Sequence, residues 1–411
     1  MFVIYDIEKQ RVPIKIWLGG ENDLESKCLE QAVNVSNHPA IFHHVSLMPD
    51  THMGYAMPIG GVAALQNAVS PYFVGVDIGC GIMAVKTNVL ADTVSEPQLR
   101  EIINLVKKSI PMGMGYSHSK EQEWEEFDNY ISQNGDPGYF IGWYDERIWE
   151  LAKKSLGTLG SGNHFCEVQT DQNGYLSLML HSGSRNLGYK IADYYHKMAI
   201  ELNHKWHSNL PNDDCAFLPT DSVEGQKYIQ DMNFALSYAQ ENRNRMMTKF
   251  KEAVSEILKN VEFTEEINIH HNFASLENHF GRNVWVHRKG ATQARKDQLG
   301  IIPGSMGTSS YIVRGLGNPE SYTSCSHGAG RNMGRNEASK SLDRADCDAA
   351  MEGIVWDGYQ KIKPRGKKNQ PKTFDLSEAP QAYKDINEVI ENQKDLVEVV
   401  TKLTPLAVLK G

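Results

Sequence analysis

The 411-residue chain has only six cysteines, Cys28, Cys80, Cys166, Cys215, Cys325 and Cys347, and no two of them form a CxxC pair. That scatter excludes a disulfide-stapled scaffold or a zinc ribbon and suits reduced thiols. No apolar run approaches the ~18 residues that a membrane-spanning helix needs. The opening MFVIYDIEKQ turns to charge before a secretory core could form. These two absences give the expectation of a cytoplasmic protein with no membrane contact. Excess positive charge is lacking as well: the formal net charge of −9 excludes a general polycation, so a nucleic-acid surface would have to be a local basic patch. The pattern GxxxxGK[ST] and any fixed-period repeat are absent too, which argues against a P-loop NTPase and a solenoid.

What is present is a chain of short apolar runs that end in loops rich in glycine, histidine and serine: YFVGVDIGCG, LGTLGSGNHF, LSLMLHSGSR, INIHHNF, IIPGSMGTSSY and CSHGAGR. Strands that deliver such loops are how α/β enzymes display chemistry. Two segments read as helical. SEPQLREIINLVKKSI, 95–110, starts with Ser95 and Gln98 at capping-box spacing and Pro97 in the first turn, and 224–260 continues without Gly or Pro after Gly225. KIKPRGKKNQPK, 361–372, reads as an exposed basic loop, either a solvated linker or a polyanion contact. The expected fold class is α/β in the mixed α+β sense. It would be a single large catalytic domain over 1–411 with a helical section at about 186–260, because the chemistry-bearing loops run from residue 50 to 410.

GVDIGCG, 75–81, places a carboxylate and a thiol among three glycines. Four histidines end apolar runs and could converge on it: His164, His181, His271 and His327. The segment 164–182 reads as a hairpin with the turn signal DQNG. If all of 171–174 is loop, His164 faces His181; if Asn173 and Gly174 alone form the turn, His164 pairs with Gly183 and His181 lies diagonally on the same face. In INIHHNF, alternation puts Ile267, Ile269 and His271 on one face and His270 on the other, so one of the two adjacent histidines is expected at the site. One carboxylate, one thiolate and three imidazoles suit a transition metal rather than Mg²⁺ or Ca²⁺, and a bridging thiolate would let five ligands hold two ions. PGSMGTSS, 303–310, and SHGAG, 326–330, offer runs of backbone N–H with hydroxyls, as anion-binding nests do. His327, between Ser326 and Gly328, could approach a phosphorus atom as a nucleophile.

SLMPDTHMGYAMPIGG, VGVDIGCGI, LGTLGSGNHF, LHSGSR, HHNF, RKGAT, IPGSMGT, CSHGAGR and the terminal LKG, in this order, resemble the RtcB family of GTP-dependent RNA ligases. The resemblance implies a manganese-dependent enzyme that joins an RNA 3′-phosphate or 2′,3′-cyclic phosphate to a 5′-hydroxyl in tRNA splicing or RNA repair. His327 would take GMP from GTP as a histidine-GMP intermediate. Carried over by position, Asp77, Cys80, His164, His181 and His271 would hold two Mn²⁺ ions, with Cys80 bridging, Asp77 and His164 on one ion and His181 and His271 on the other. The donor types alone would not select Mn²⁺, which stands low in the divalent affinity order. Asn163, Glu167, Ser305, Ser310, Ala329, Gly330, Tyr383 and Lys410 would form the guanylate pocket, and Asp50 and His52 would face the RNA end. An activating protein and a monomer or weak dimer complete the expectation. The sequence departs from the family pattern at Tyr55 and Ala56, where many members carry a lysine, and at Asn186, where glycine is common. The altered segment at Tyr55 and Ala56 motivates an alternative, a guanylyltransferase that caps 3′-phosphate ends of RNA or DNA with little joining; an inactive ligase scaffold that binds RNA is a third reading.

Overall fold

The computed structural model describes residues 1–135, 142–362 and 373–411. Two large sheets dominate. The first has six strands in the order Phe2–Ile4, Ile14–Ile16, Ile41–Tyr55, Met57–Leu65, Arg282–Lys289, Asn272–His279. The second has seven, in the order Phe263–His270, Gly81–Leu90, Tyr175–Ser182, Phe165–Asp171, Val397–Lys410, Ser310–Gly315, Leu299–Ile302. Within both, the paired strands run antiparallel except Ile14–Ile16 against Ile41–Tyr55. Helices and antiparallel sheet therefore share one mixed fold, as the loop pattern suggested, and no doubly wound parallel sheet forms among the described residues.

The period-two alternation of the second sheet sets its two faces. Met83, Val85, Val168, Leu178 and Leu180 pack outward against Leu99, Ile102 and Val106 of helix Glu96–Ser109 and Met246, Met247 and Phe250 of helix Val223–Ile257. Ile82, Ala84, Phe165 and Met179 point the other way. Each such buried side chain contributes about 1.5–3 kcal/mol, enough for the sheet to fix where its strand ends lie. The first sheet joins the second through Met48, Val62 and Val286 packed with Ile302, Tyr311 and Val313. Helix Glu96–Ser109 begins as its sequence indicates, with the Ser95–Gln98 capping box formed. The helical section is two helices, Arg185–Lys205 and Val223–Ile257, separated by a loop and the two-residue strand Leu218–Pro219.

The hairpin at 165–182 adopts neither expected register. Phe165 lies opposite His181, because the loop has three residues: Gly174 N–H donates to the Asp171 carbonyl at 3.0 Å and Gly174 takes φ +85°. A tight turn closed by a left-handed glycine is the three-residue solution, and the Asp171 carboxylate stabilises it by accepting from Asn173 and Tyr175 N–H at 2.9 and 2.8 Å. His164 consequently precedes the strand instead of belonging to it. The basic stretch at 361–372 pairs Lys361–Ile362 with Thr373–Phe374, and its remainder lies outside the described residues.

Candidate active site

The Asp-x-x-Cys segment is a turn. Cys80 N–H donates to the Asp77 carbonyl at 3.0 Å, and Gly79, third in the turn, has φ +76°. A β-carbon on Gly79 would lie 2.8 Å from the Ala239 methyl of helix Val223–Ile257, so glycine answers both the backbone conformation and the close approach of that helix. The helix also supplies support from beneath. Fully buried Arg243 donates through Nη1 to the carbonyls of Gly79 and Ser182 at 2.8 and 3.0 Å, and Asn242 donates to the carbonyls of Thr158 and Gly183, both at 3.1 Å. Burial pulls the Arg243 pKa down to about 10 against the attraction of Cys80 and Asp77.

Around Cys80 the imidazoles converge. Its Sγ lies 3.5 Å from His164 Nε2 and 3.2 Å from His181 Nε2, and ligand atoms of these three buried residues fall within 4.8 Å of one another. Asp77 Oδ2 adds a contact to His164 Nε2 at 3.4 Å, and His271 Nε2 lies 3.4 Å from His181 Nε2. His164 Nδ1–H donates to the Leu159 carbonyl at 2.8 Å and His181 Nδ1–H to the Asn163 carbonyl at 3.3 Å, which leaves both Nε2 lone pairs aimed inward. Burial first, then neighbouring histidines, holds His181 and His271 well below the usual imidazole range, so both are neutral donors. Convergent lone pairs and a buried thiol repel one another unless a cation or a proton lies between them, and the donor set fits a transition metal ion. His271 occupies the single position between strand Phe263–His270 of one sheet and strand Asn272–His279 of the other. His270 turns instead toward Arg243, its Nδ1 3.1 Å from Nη2 and 3.0 Å from the Gly79 carbonyl.

Beside this cluster His327 is held from one side. Asp50 Oδ2 accepts from His327 Nδ1–H at 2.6 Å and from the backbone N–H of His327 and Gly328 at 2.9 and 3.3 Å. Nε2 therefore carries the free lone pair, and the ring centroid lies 4.8 Å from that of His271. Gly330, at φ +72°, lets the loop press on the strand, since a β-carbon there would lie 2.3 Å from the Asp50 carbonyl oxygen. Asp50, expected at an RNA end, is instead fully buried beneath His327. His52 lines the adjoining cavity and donates through Nδ1–H to the Asp50 carbonyl at 2.9 Å.

That cavity, of about 140 Å³, is lined by His327, His181, Asn163, Glu167, Ser305, Ala329, Gly330, Tyr383 and Lys410, with Phe165 and Met306 as apolar wall. Of the expected pocket residues Ser310 alone is set back: its hydroxyl accepts from Gln169 Nε2 at 3.1 Å and from Gly304 N–H at 3.2 Å, behind Glu167. Burial raises the Glu167 pKa to about 7, against the pull of Lys410 and Gln169. Arg331, Arg335 and Glu378 were not anticipated. The two arginines line the cavity, and Glu378 behind them accepts from Arg335 Nε at 2.8 Å and Arg331 Nη1 at 3.4 Å. Its other oxygen accepts from the Tyr383 hydroxyl and lies 3.6 Å from Lys410 Nζ. Arg331 follows SHGAG directly and Arg335 lies four residues further on, a local signal; Glu378 has none. A larger cleft of about 500 Å³ lies at Gly307–Ser309, Asp385–Asn387 and Lys402. No histidine or cysteine lines it, so it offers neither the nucleophile nor the ligands.

Comparison with known proteins places these features in a family context. Residues 31–411 match the family model described as tRNA-splicing ligase RtcB. The chain is 36% identical over 421 residues to the RNA-splicing ligase RtcB of Escherichia coli strain K12, covering 98% of both chains. It is 31% identical over 475 residues to the tRNA-splicing ligase RtcB of Thermococcus kodakarensis, with 98% of this chain and 96% of that protein covered. An Entamoeba histolytica protein, RNA-splicing ligase RtcB homolog 1, is 32% identical over 457 residues, with 94% and 84% covered.

Proposed function

This chain belongs to the RtcB family and is an RNA ligase, and from that premise we propose that it joins RNA 3′-phosphate or 2′,3′-cyclic phosphate ends to 5′-hydroxyl ends through a guanylylated His327. The observation that carries the reading is the Asp50–His327 pair. A carboxylate fixes Nδ1–H at 2.6 Å and leaves Nε2 as the nucleophilic nitrogen beside a cavity rimmed by Arg331, Arg335 and Lys410. In the first step a bond forms between Nε2 and the α-phosphorus of GTP, and the bond from that phosphorus to the bridging oxygen breaks as pyrophosphate leaves. Transfer of GMP to an RNA 3′-phosphate then gives an activated end, and attack by a 5′-hydroxyl releases GMP. A cyclic phosphate would first be opened to the 3′-monophosphate.

Lys410 and the two arginines supply charge for the phosphates, and the backbone N–H groups of Ala329 and Gly330 supply directional donors. Glu167, buried in the cavity wall, is the carboxylate able to accept from guanine N1–H and N2–H, with Asn163 and Ser305 alongside. A site of about 140 Å³ is smaller than the ~300–1,000 Å³ usual for small-molecule pockets, so a nucleotide there extends outward past half-exposed Arg335. Cys80, His164, His181, Asp77 and His271 would hold two Mn²⁺ ions, and metal bound there would offset charge on phosphate oxygens. The whole chain is proposed to act as one domain, since residues 50, 77–80, 163–181, 271, 327 and 410 meet at this site.

The test is incubation with α-labelled GTP and Mn²⁺, comparing the unaltered protein with His327→Ala under denaturing electrophoresis. Acid-labile label on the unaltered chain alone is expected. Label on the variant, or ligation of a 3′-phosphate RNA by it, would overturn the covalent route.

A further inference from the structure

Three cations and a phenol converge on one carboxylate behind the cavity. Arg331 and Arg335 come from the segment that follows the nucleophile loop, Tyr383 from the turn after Pro380–Ala382, and Lys410 from the end of the last strand. All four line the cavity, and Glu378, whose side chain is 13% exposed, stands behind them. Arg331 is held further, Nη2 donating to the Ser377 carbonyl at 2.6 Å and its guanidinium lying 4.9 Å from the Tyr383 ring centroid. Without a carboxylate, the largely buried Arg331 and Lys410 would repel each other and half-exposed Arg335 would swing out to solvent, and the buried Arg331 and Tyr383 donors would lose their acceptor. One negative charge against three positive leaves a surplus facing the cavity. The electrostatics agree. Burial alone would raise the Glu378 pKa, yet Lys410 and Arg335 pull it down to about 2, whereas burial pushes Glu167 up to about 7 despite the attraction of the same Lys410.

Resting on the guanylate reading, we propose that Glu378 is a positioning residue for the nucleotide: it binds the nucleophile loop to the C-terminal strand and holds Arg331, Arg335 and Lys410 as a preformed cup for the GTP phosphates. It does not touch the ligand. Glu167, with one oxygen accepting from Gln169 Nε2 at 2.7 Å, keeps its other oxygen for the base. A preorganised cup costs the ligand no ordering of long side chains, so its loss appears as weaker binding before it appears as slower chemistry.

GTP binding is measured by calorimetry in the His327→Ala background, which blocks covalent transfer, for Glu378 retained, Glu378→Gln and Glu378→Asp. Loss of charge-assisted bonds at this hub predicts GTP binding weakened roughly tenfold or more in Glu378→Gln, partly recovered in Glu378→Asp, with bound Mn²⁺ held and the melting temperature lowered but the chain still folded at the assay temperature. In the chain with His327 intact, the KM for GTP should rise more than kcat falls. Unchanged GTP affinity in Glu378→Gln would overturn the proposal, and tighter binding would overturn it in the opposite sense, by making Glu378 a competitor of the phosphates. If Glu378→Gln fails to fold, Glu378→Asp decides by the same comparison, since moving the carboxylate back by one methylene must weaken GTP binding if the cup depends on it. Should His327→Ala with Glu378 retained bind no GTP and the unaltered protein take no label, the guanylate reading itself falls and this inference with it.

Discussion

Replacing Asp50 with Asn removes one charge beneath His327 and leaves the shape of the site. Oδ2 serves three donors at 2.6, 2.9 and 3.3 Å, while Oδ1 is buried with no partner among the described residues. An Asn that keeps its carbonyl at the Oδ2 position strands its NH₂ where no acceptor waits. One that flips turns NH₂ toward three donors and selects the His327 tautomer with Nε2 protonated, which cannot attack. Hydrogen bonds to charged groups contribute about 1.5–3 kcal/mol and neutral ones about 0.5–1.5, so the His327 bond alone loses about 1–2 kcal/mol. The stranded amide adds about 1–3 kcal/mol. Part of that total appears as lower stability, and the share felt at Nε2, about 2–4 kcal/mol, corresponds to a roughly 30- to 1,000-fold slower step. The assay is single-turnover transfer of label from GTP to the protein at saturating Mn²⁺, with bound metal and melting temperature recorded for both chains. A labelling rate within threefold of the unaltered protein, at equal metal content, would refute the claim that Asp50 sets the nucleophile.

Glu167 gives a pH prediction. Its pKa in the fold, about 7, lies above the ordinary carboxylate value because burial penalises the charge, so the free site binds a proton below pH 7 that guanine would have to displace. GTP affinity should be flat above pH 7 and fall about tenfold per unit below it, while protein stability declines as pH rises from about 4.5 to 7, where the folded state holds more protons than the unfolded. Glu167→Gln should flatten both curves in calorimetric and thermal titrations; a slope that persists in GTP binding would remove Glu167 from the base contact. The two adjacent histidines should separate cleanly in metal analysis. His271→Ala is expected to lose bound Mn²⁺, whereas His270→Ala keeps the metal and costs about 1 kcal/mol through the lost partner of Arg243. Equal metal losses would contradict the placement.

Much of the site was legible because its chemistry is carried by local loops. The Asp-x-x-Cys turn and SHGAG each contain their own backbone instructions, and the expected split of His270 from His271 holds although His271 lies at the break between two strands, not within one. The 165–182 hairpin shows the limit. DQNG announced a turn but not its length, and the three-residue form that Asp171 and Gly174 build shifts the register by one. His164 reaches Cys80 nonetheless, because it lies in the loop before the strand and is oriented by the Leu159 carbonyl. Asp50 was assigned to the RNA end from its motif, and only its burial under His327 shows it as a support.

The sequence by itself determined the family, the kinds of donor and nucleophile, and the helices whose caps and apolar stripes are local, because those depend on residue type and short spacing. Tertiary structure alone decided which groups share a charge. Glu378 meets Arg331 and Arg335 from one segment and Lys410 from another, and Arg243 in the middle of a long helix braces the Gly79 turn 164 residues away. Such pairings follow from how two sheets and a helix pack, and burial then fixes their energetics by making an unpaired charge too costly to leave; neither quantity is written in any short stretch of the chain.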